Sequence, residues 1–302
     1  MEIHQLRYFC AVALAGSFTR AAEQLGIAQP SLSQQIRALE KQVGTSLFER
    51  LGRSIRLTSY GEALYQPALA ILRQVTDAQA AISDLQQGVK GRLRVGVIPT
   101  IMPYFIAPYA GDFAALFPQL DVQFVEDTTP HLLESLQSGE LDIAVASLPV
   151  RNRDIVCSEL FREPLFIAVP QGHRLAARPE LDLQDLRDER LLLLKEGHCL
   201  HENALVACTR HRPRLNPVFE SDQMASILEL VRSGFGVTMI PAMAAAHAGG
   251  CKVVPLQSGG FRRIGYLRAR RHIVSRSMRE FVAWLRTLEQ QVNLRNLPRV
   301  AS

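Results

Sequence analysis

No run of about 18 apolar residues occurs in the 302-residue chain, which excludes a helical membrane span. The opening Met1-Glu2-Ile3-His4-Gln5 lacks a basic-then-apolar export region, so the expected compartment is the cytoplasm. Internal repeats and low-complexity tracts are absent too, which argues against a solenoid or a disordered tail. Cysteine is sparse: Cys10, Cys157, Cys199, Cys208 and Cys251 are scattered and odd in number. That excludes a stapled secreted scaffold and favours a reducing compartment, where a thiol pair is catalytic or sensing sooner than structural. His198, Cys199, His201 and Cys208 lack a common zinc spacing, and no metal or other cofactor is expected. Cys10 and Cys157 lie in apolar stretches and read as core. The other histidines (4, 131, 173, 211, 247 and 272) read as surface or turn positions.

What is present is a mildly basic, globular chain. Apolar residues make up 47% of it, enough for real cores, and its length suggests about two domains. The formal net charge is +5. Residues 1–60 hold seven Lys/Arg against four Asp/Glu, and Arg50, Arg53 and Arg56 cluster there, which suits a nucleic-acid partner.

Apolar spacing of three and four predicts helices over 3–15, 19–25 and 30–43, with Gly26 in the turn and Pro30 in the first turn of the third. Two extended pieces follow, 47–50 and 55–57, around Leu51-Gly52-Arg53-Ser54. This is a winged helix-turn-helix over residues 1–60. Gln29, Pro30, Ser31, Ser33, Gln34 and Arg37 stand near the start of the third helix, off its apolar face, where a recognition helix presents donors to base edges of double-stranded DNA. Arg50 and Arg53 on the wing suit phosphates. Thr58 is expected to cap a long helix over 58–87. In it Leu64, Ala68, Ile71, Val75, Ala78, Ile82 and Leu85 alternate at four and three, a heptad seam that predicts a self-paired coiled coil and a homodimer. Packing of that face on its own domain is the competing reading. Pro67 is expected to bend the helix.

Residues 88–91 (Gly-Val-Lys-Gly) read as a hinge. Beyond them strands are expected near 93–98, 122–126, 143–146, 166–169, 191–194, 237–240 and 264–267, with helices near 103–117, 130–138, 198–208, 222–233 and 273–291. That alternation predicts an α/β domain over 92–302.

Cys199 and Cys208 stand nine residues apart. On a helix that is about 900° of rotation and roughly 13.5 Å of rise, beyond the reach of a disulfide. The pair either never bonds or bonds only by unwinding its own helix. Cys199 would stand at a helix N-terminus, where free N–H groups favour a thiolate. Cys208, behind Ala204-Leu205-Val206-Ala207, also fits ordinary buried packing.

Leu6-Arg7-Tyr8-Phe9, Gly16-Ser17-Phe18, Ala21-Ala22, Gln29-Pro30-Ser31-Leu32-Ser33 and Leu47-Phe48-Glu49-Arg50 resemble the N-terminal signature of LysR-type transcriptional regulators. Ala28 departs from the serine frequent there. The resemblance covers the whole chain and implies an all-α winged helix-turn-helix, a linker helix and an α/β, two-lobed, periplasmic-binding-protein-like effector domain. Lobe I would span about 92–161 and 268–302, and lobe II about 162–267. It implies a homodimer assembling into a homotetramer, RNA polymerase as a further partner, and no enzymatic activity. Within the family, Gly197-His198-Cys199-Leu200 with Cys208, Ile98-Pro99-Thr100 and the 126–129 segment resemble the peroxide-sensing OxyR branch. By that resemblance Cys199 is the peroxidatic thiol and Cys208 the resolving one. Thr100, Thr129, His198 and Arg262, or the adjacent Arg263, line a hydrogen peroxide pocket. Two other readings stand beside it: a regulator of the same architecture binding a small carboxylate between the lobes, and a thiol peroxidase. The complete DNA-binding end counts against the last.

Overall fold

A computed structural model describes residues 1–51, 54–86, 89–195, 197, 216–257 and 260–291. The chain divides into two compact units between residues 87 and 88.

The first unit holds helices α1 (Ile3–Ala15), α2 (Phe18–Leu25) and α3 (Gln29–Val43), a hairpin of β1 (Phe48–Leu51) and β2 (Ser54–Leu57), and the long α4 (Ser59–Gln86). Its caps follow from sequence. The Gln5 side chain accepts from the Glu2 backbone N–H at 3.0 Å, the Ser17 hydroxyl from Arg20 N–H at 3.4 Å, and the Thr58 hydroxyl from Gly61 N–H at 3.1 Å. Leu6, Phe9, Val12, Ala21, Leu32, Ile36, Leu39 and Leu47 form the core. Phe9 and Phe48 pack with ring centroids 5.3 Å apart, tying α1 to the wing. The Glu40 carboxylate accepts from Leu47 and Phe48 N–H at 2.8 and 3.3 Å, so the end of α3 fixes where the wing begins. Gly61 is required at the crossing of α4 with that turn: a Cβ there would lie 2.2 Å from the Leu47 carbonyl oxygen.

The proposed seam divides along α4. Ala68 is fully buried within its own chain, and Leu64 and Ile71 pack on the same core. For Ala68 the expectation of an inter-chain contact is therefore corrected: the first turns of α4 are spent on the winged domain. Val75 is half-buried and Ala78 exposed; the side chains of Ile82 and Leu85 lie outside the described residues.

In the second unit, β3 (Gly91–Val97) is flanked in parallel by β4 (Leu120–Glu126) and β5 (Ile143–Leu148). β6 (Ile155–Pro170) is a single 16-residue strand, far longer than the 166–169 expected. β7 (Arg190–Leu194) and β8 (Asn216–Ser221) pair with each other. β9 (Thr238–Pro241) and β10 (Cys251–Pro255) both pair with β6. β11 (Phe261–Ala269) lies antiparallel between β5 and β6. β6 thus pairs with β11 over 155–164 and with β9 over 165–168. Helices α5 (Ala110–Leu116), α6 (Thr129–Ser138), α7 (Met224–Arg232), α8 (Ala242–Ala245) and α9 (Arg276–Gln291) cover it.

The single helix expected over 103–117 is instead a π-turn (102–106), a 3-10 turn (107–109) and then α5. Pro103 and Pro108 lack the N–H groups a continuous helix needs. β8 and β10 were not anticipated, and the helix expected over 198–208 lies outside the described residues. Cys10 is buried as expected, but Cys157 is exposed on β6. His272 is buried, 3.8 Å from Asp142, against the surface position expected of it.

Candidate functional site: a DNA-reading face and a buried hydroxyl pocket

Near the start of α3, Gln29, Ser31, Gln34 and Arg37 are exposed, with Pro30 beside them. Ser33 is not among them. It is 7% exposed and accepts a hydrogen bond from the Gln29 amide at 2.8 Å. Its assignment to base contact is corrected: it sits one residue past Leu32, on the edge of the stripe that Leu32, Ile36 and Leu39 bury. The side chain of Arg50, and Arg53 entirely, lie outside the described residues. Arg56, exposed on β2 opposite Glu49, keeps one cation of the wing in view.

The second site is built by the sheet. Val97 and Glu126 are register partners at the carboxyl ends of the parallel strands β3 and β4. Three residues past each stands a threonine, Thr100 and Thr129, so neighbouring strands deliver two hydroxyls to one edge of the sheet, where open α/β sheets place ligands. Thr100 is 2% exposed. Thr129 opens α6, and its buried hydroxyl has no hydrogen-bond partner among the described residues. An unsatisfied buried hydroxyl is costly unless something comes to it.

Arg262 enters the same place from β11. Its guanidinium has no exposed surface and donates through NH1 to the Thr100 hydroxyl at 2.7 Å and through NH2 to the Thr100 carbonyl at 3.1 Å. Its Nε donates to the Glu163 carboxylate at 2.7 Å, and the other Glu163 oxygen accepts from Met243 N–H at 2.7 Å. Glu163 is itself wholly buried. Arg263, on the opposite face of the strand, reaches Glu159 at the surface at 3.5 Å. Strand alternation puts the two arginines on opposite faces, and Arg262 is the one buried against Thr100. Glu163 went unanticipated, since an acid in a strand ordinarily faces water.

Tyr104 packs on His247 with ring centroids 4.9 Å apart. Burial pushes its phenol above the ordinary value, Arg262 pulls it down and Glu163 pushes it up. Gly197, with φ +92°, lies against Thr128: a Cβ on it would sit 3.7 Å from that of Thr128. The backbone two residues ahead of Cys199 therefore passes beside the start of α6. His198, Cys199 and Cys208 lie outside the described residues.

Residues 3–62 match the family described as bacterial regulatory helix-turn-helix protein, lysR family, and residues 86–290 match LysR substrate binding domain. The chain is 33% identical over 244 residues to a hydrogen peroxide-inducible genes activator of Dickeya chrysanthemi, covering 81% of this chain and 80% of that one. It is similar to the solved full-length OxyR of Pseudomonas aeruginosa, a cysteine-to-aspartate variant, with TM-score 0.79 and 30% identity over 100% of this chain and 99% of that one. A hydrogen peroxide-bound cysteine mutant of Corynebacterium glutamicum OxyR is likewise similar, with TM-score 0.66 and 30% identity over 97% and 94% of the two chains. With both halves matched in the same order, the chain belongs to the LysR family of DNA-binding transcriptional regulators.

Proposed function

We propose that this regulator senses hydrogen peroxide through Cys199 and is switched by a Cys199–Cys208 disulfide. The observation that carries the reading is the pair of threonine hydroxyls at the carboxyl edge of β3 and β4. One is held by a buried arginine and the other has no partner among the described residues. Gly197 runs beside Thr128, the residue before Thr129. Such a site supplies donors and acceptors to a small dioxygen-bonded ligand next to a thiol. The relatives named for peroxide induction, and the peroxide-bound OxyR structure, support the same assignment.

In the proposed reaction the Cys199 thiolate attacks one peroxide oxygen. An S–O bond forms, the O–O bond breaks, and hydroxide leaves to collect a proton. The Cys208 thiol then attacks the sulfenic sulfur, water leaves, and the disulfide closes. The net change is two thiols and one peroxide to one disulfide and two waters. His198 and the Arg262 charge favour the departing hydroxide. Closing the bond refolds residues 199–208, and that movement is the signal. The assembly proposed is a homodimer through the second half of α4, paired into a homotetramer, acting in the cytoplasm on double-stranded DNA with RNA polymerase as partner.

The test is chemical. Peroxide-treated protein, digested with trypsin without reductant, should yield a Cys199–Cys208 linked peptide that dithiothreitol abolishes. Two free alkylated thiols after treatment would overturn the switch and favour a small carboxylate effector.

A further inference from the structure

One end of the second unit's sheet gathers exposed arginines on two adjacent connections. β5 and β6 both run antiparallel to β11, so residues 149–154 carry the chain back along the sheet from one to the other. The last of these residues meet the turn that follows β11. Arg270 N–H donates to the Asp154 carbonyl at 2.7 Å, and Arg270 Nε donates to the Arg153 carbonyl at 3.0 Å. Residues 149–154 and 270–275 together hold Arg151, Arg153, Arg270 and Arg271 against one carboxylate, Asp154. All four arginines are exposed, and none is in an ion pair among the described residues. Neighbouring cations are already matched: Arg92 meets Asp121 at 2.9 Å, and Arg94 lies beside Glu140, donating to its carbonyl at 3.4 Å. This is also the end of the sheet where the chain enters from residue 88. His272 stands 3.8 Å from Asp142, whose carboxylate accepts from Arg94 N–H at 2.7 Å, three residues after β3 begins at Gly91. Lys90, exposed just before β3, adds a cation there.

We infer that this end of the effector unit is a second DNA-contacting surface, which holds the phosphate backbone of the duplex flanking the operator. It stands apart from the peroxide reading and needs only the DNA binding of the family. A surface built for solubility intersperses both signs. Here they are sorted: residues 95–150 contain seven Asp/Glu and no Lys/Arg, while the two connections hold four arginines to one acid. Exposed like charges gathered in one place repel one another, and a polyanion relieves that repulsion. The fork of a guanidinium matches two phosphate oxygens. Such contacts position the protein without reading sequence. Tethering supplies the rest. The winged unit binds the operator, the chain joins the two units between residues 87 and 88, and the arginines lie at the end of the sheet where that joint enters. DNA beside the operator is therefore offered to them at high effective concentration.

The experiment uses full-length reduced protein and a duplex carrying an operator that the wild type selects from random DNA, with unselected sequence on both sides. Fluorescence anisotropy follows binding from about 50 to about 200 mM salt. Arg153→Ala with Arg271→Ala removes two exposed side chains that make no hydrogen bond among the described residues. Across that range the wild type should lose about tenfold more affinity than this double variant, the share of two phosphate contacts. Arg153→Lys with Arg271→Lys should keep the wild-type slope, because the slope counts charges. Base preference and sedimentation should be unchanged in both. An unchanged slope in the alanine variant overturns the inference. So does a slope loss that the lysine variant shares, which would mark a role in the fold rather than a charge on phosphate. A smaller assembly, with or without a change of slope, assigns the arginines to a second copy instead. Transcription in vitro that falls while the slope holds assigns them to RNA polymerase. If the alanine variant does not fold, Arg153→Gln with Arg271→Gln takes its place.

Discussion

Arg262 and Arg263 are consecutive on β11, yet one is wholly buried against Glu163 and Thr100 and the other meets Glu159 at the surface. The strand's twofold period makes them opposites. Removing the first leaves a carboxylate buried without its cation; removing the second loses a screened contact. Arg262→Ala should therefore destabilise the effector unit by about 3–5 kcal/mol. Arg263→Ala should change it by less than about 1 kcal/mol. Urea denaturation of the two variants checks this, and equal midpoints would contradict the assignment of faces.

On the DNA side the expected effects separate by type of contact. Gln34→Ala should blur preference at one base pair by about 1–3 kcal/mol. Arg53→Ala should weaken binding to every sequence alike and lower the salt slope by about one. Ser33→Ala should leave preference untouched, because that hydroxyl faces Gln29. Fluorescence anisotropy over a panel of operator variants at several salt concentrations distinguishes the three. A change of base preference in the Ser33 variant would return that residue to the interface.

The division of α4 makes its own forecast. Val75→Lys with Ile82→Lys should give monomers that still fold, and these should bind a two-half-site operator far more weakly. Ala68→Lys should instead unfold the winged unit, since its site is sealed within the chain. Sedimentation velocity with circular dichroism reads both. A folded Ala68→Lys monomer would show that the seam between chains begins earlier than argued.

At the start of α6, His131 Nδ1 lies 2.9 Å from Asp127. The hydrogen bond to Asp127, then its charge, raise the His131 pKa above 6.5. Burial works to raise Asp127, but bonds from His131 and Thr128 N–H outweigh it and leave its pKa lowered from 3.8. The histidine's contribution is full below pH 6.5 and is lost as pH rises through its raised folded value. The carboxylate's contribution is present above pH 3.8 and is lost as pH falls through its lowered value. The pair thus works in the window between. Titration of the imidazole by NMR should give a value above 6.5 that Asp127→Asn returns to the ordinary range. An unchanged titration in the variant would count against the pairing.

Much of this was legible from residue order, because short-range physics decided it. Thr58 caps α4 as a lone threonine before a helical run should, and the α/β alternation of the second unit follows from its apolar strands. What was not legible depended on distant partners. Ala68 repeats at four and three whether its neighbour is α1 or another chain, so spacing cannot choose between them. Glu163 becomes intelligible only beside Arg262, 99 residues away. Cys157 sits in an apolar stretch, but β6 alternates there, and the period of two turns it outward. The broken helix after Thr100 was marked by Pro103 and Pro108.

Burial of Cys10 in the winged domain has a further meaning for the peroxide switch proposed above. Its thiol is pushed up to about 12 by burial. At neutral pH only about one molecule in 100,000 then carries the reactive thiolate. The thiols of Cys157 and Cys251 are also pushed up by burial. A detector is useful only if the rest of it is deaf. With the Cys10 thiol quiet, the unit that reads the operator would pass through an oxidant pulse unmarked.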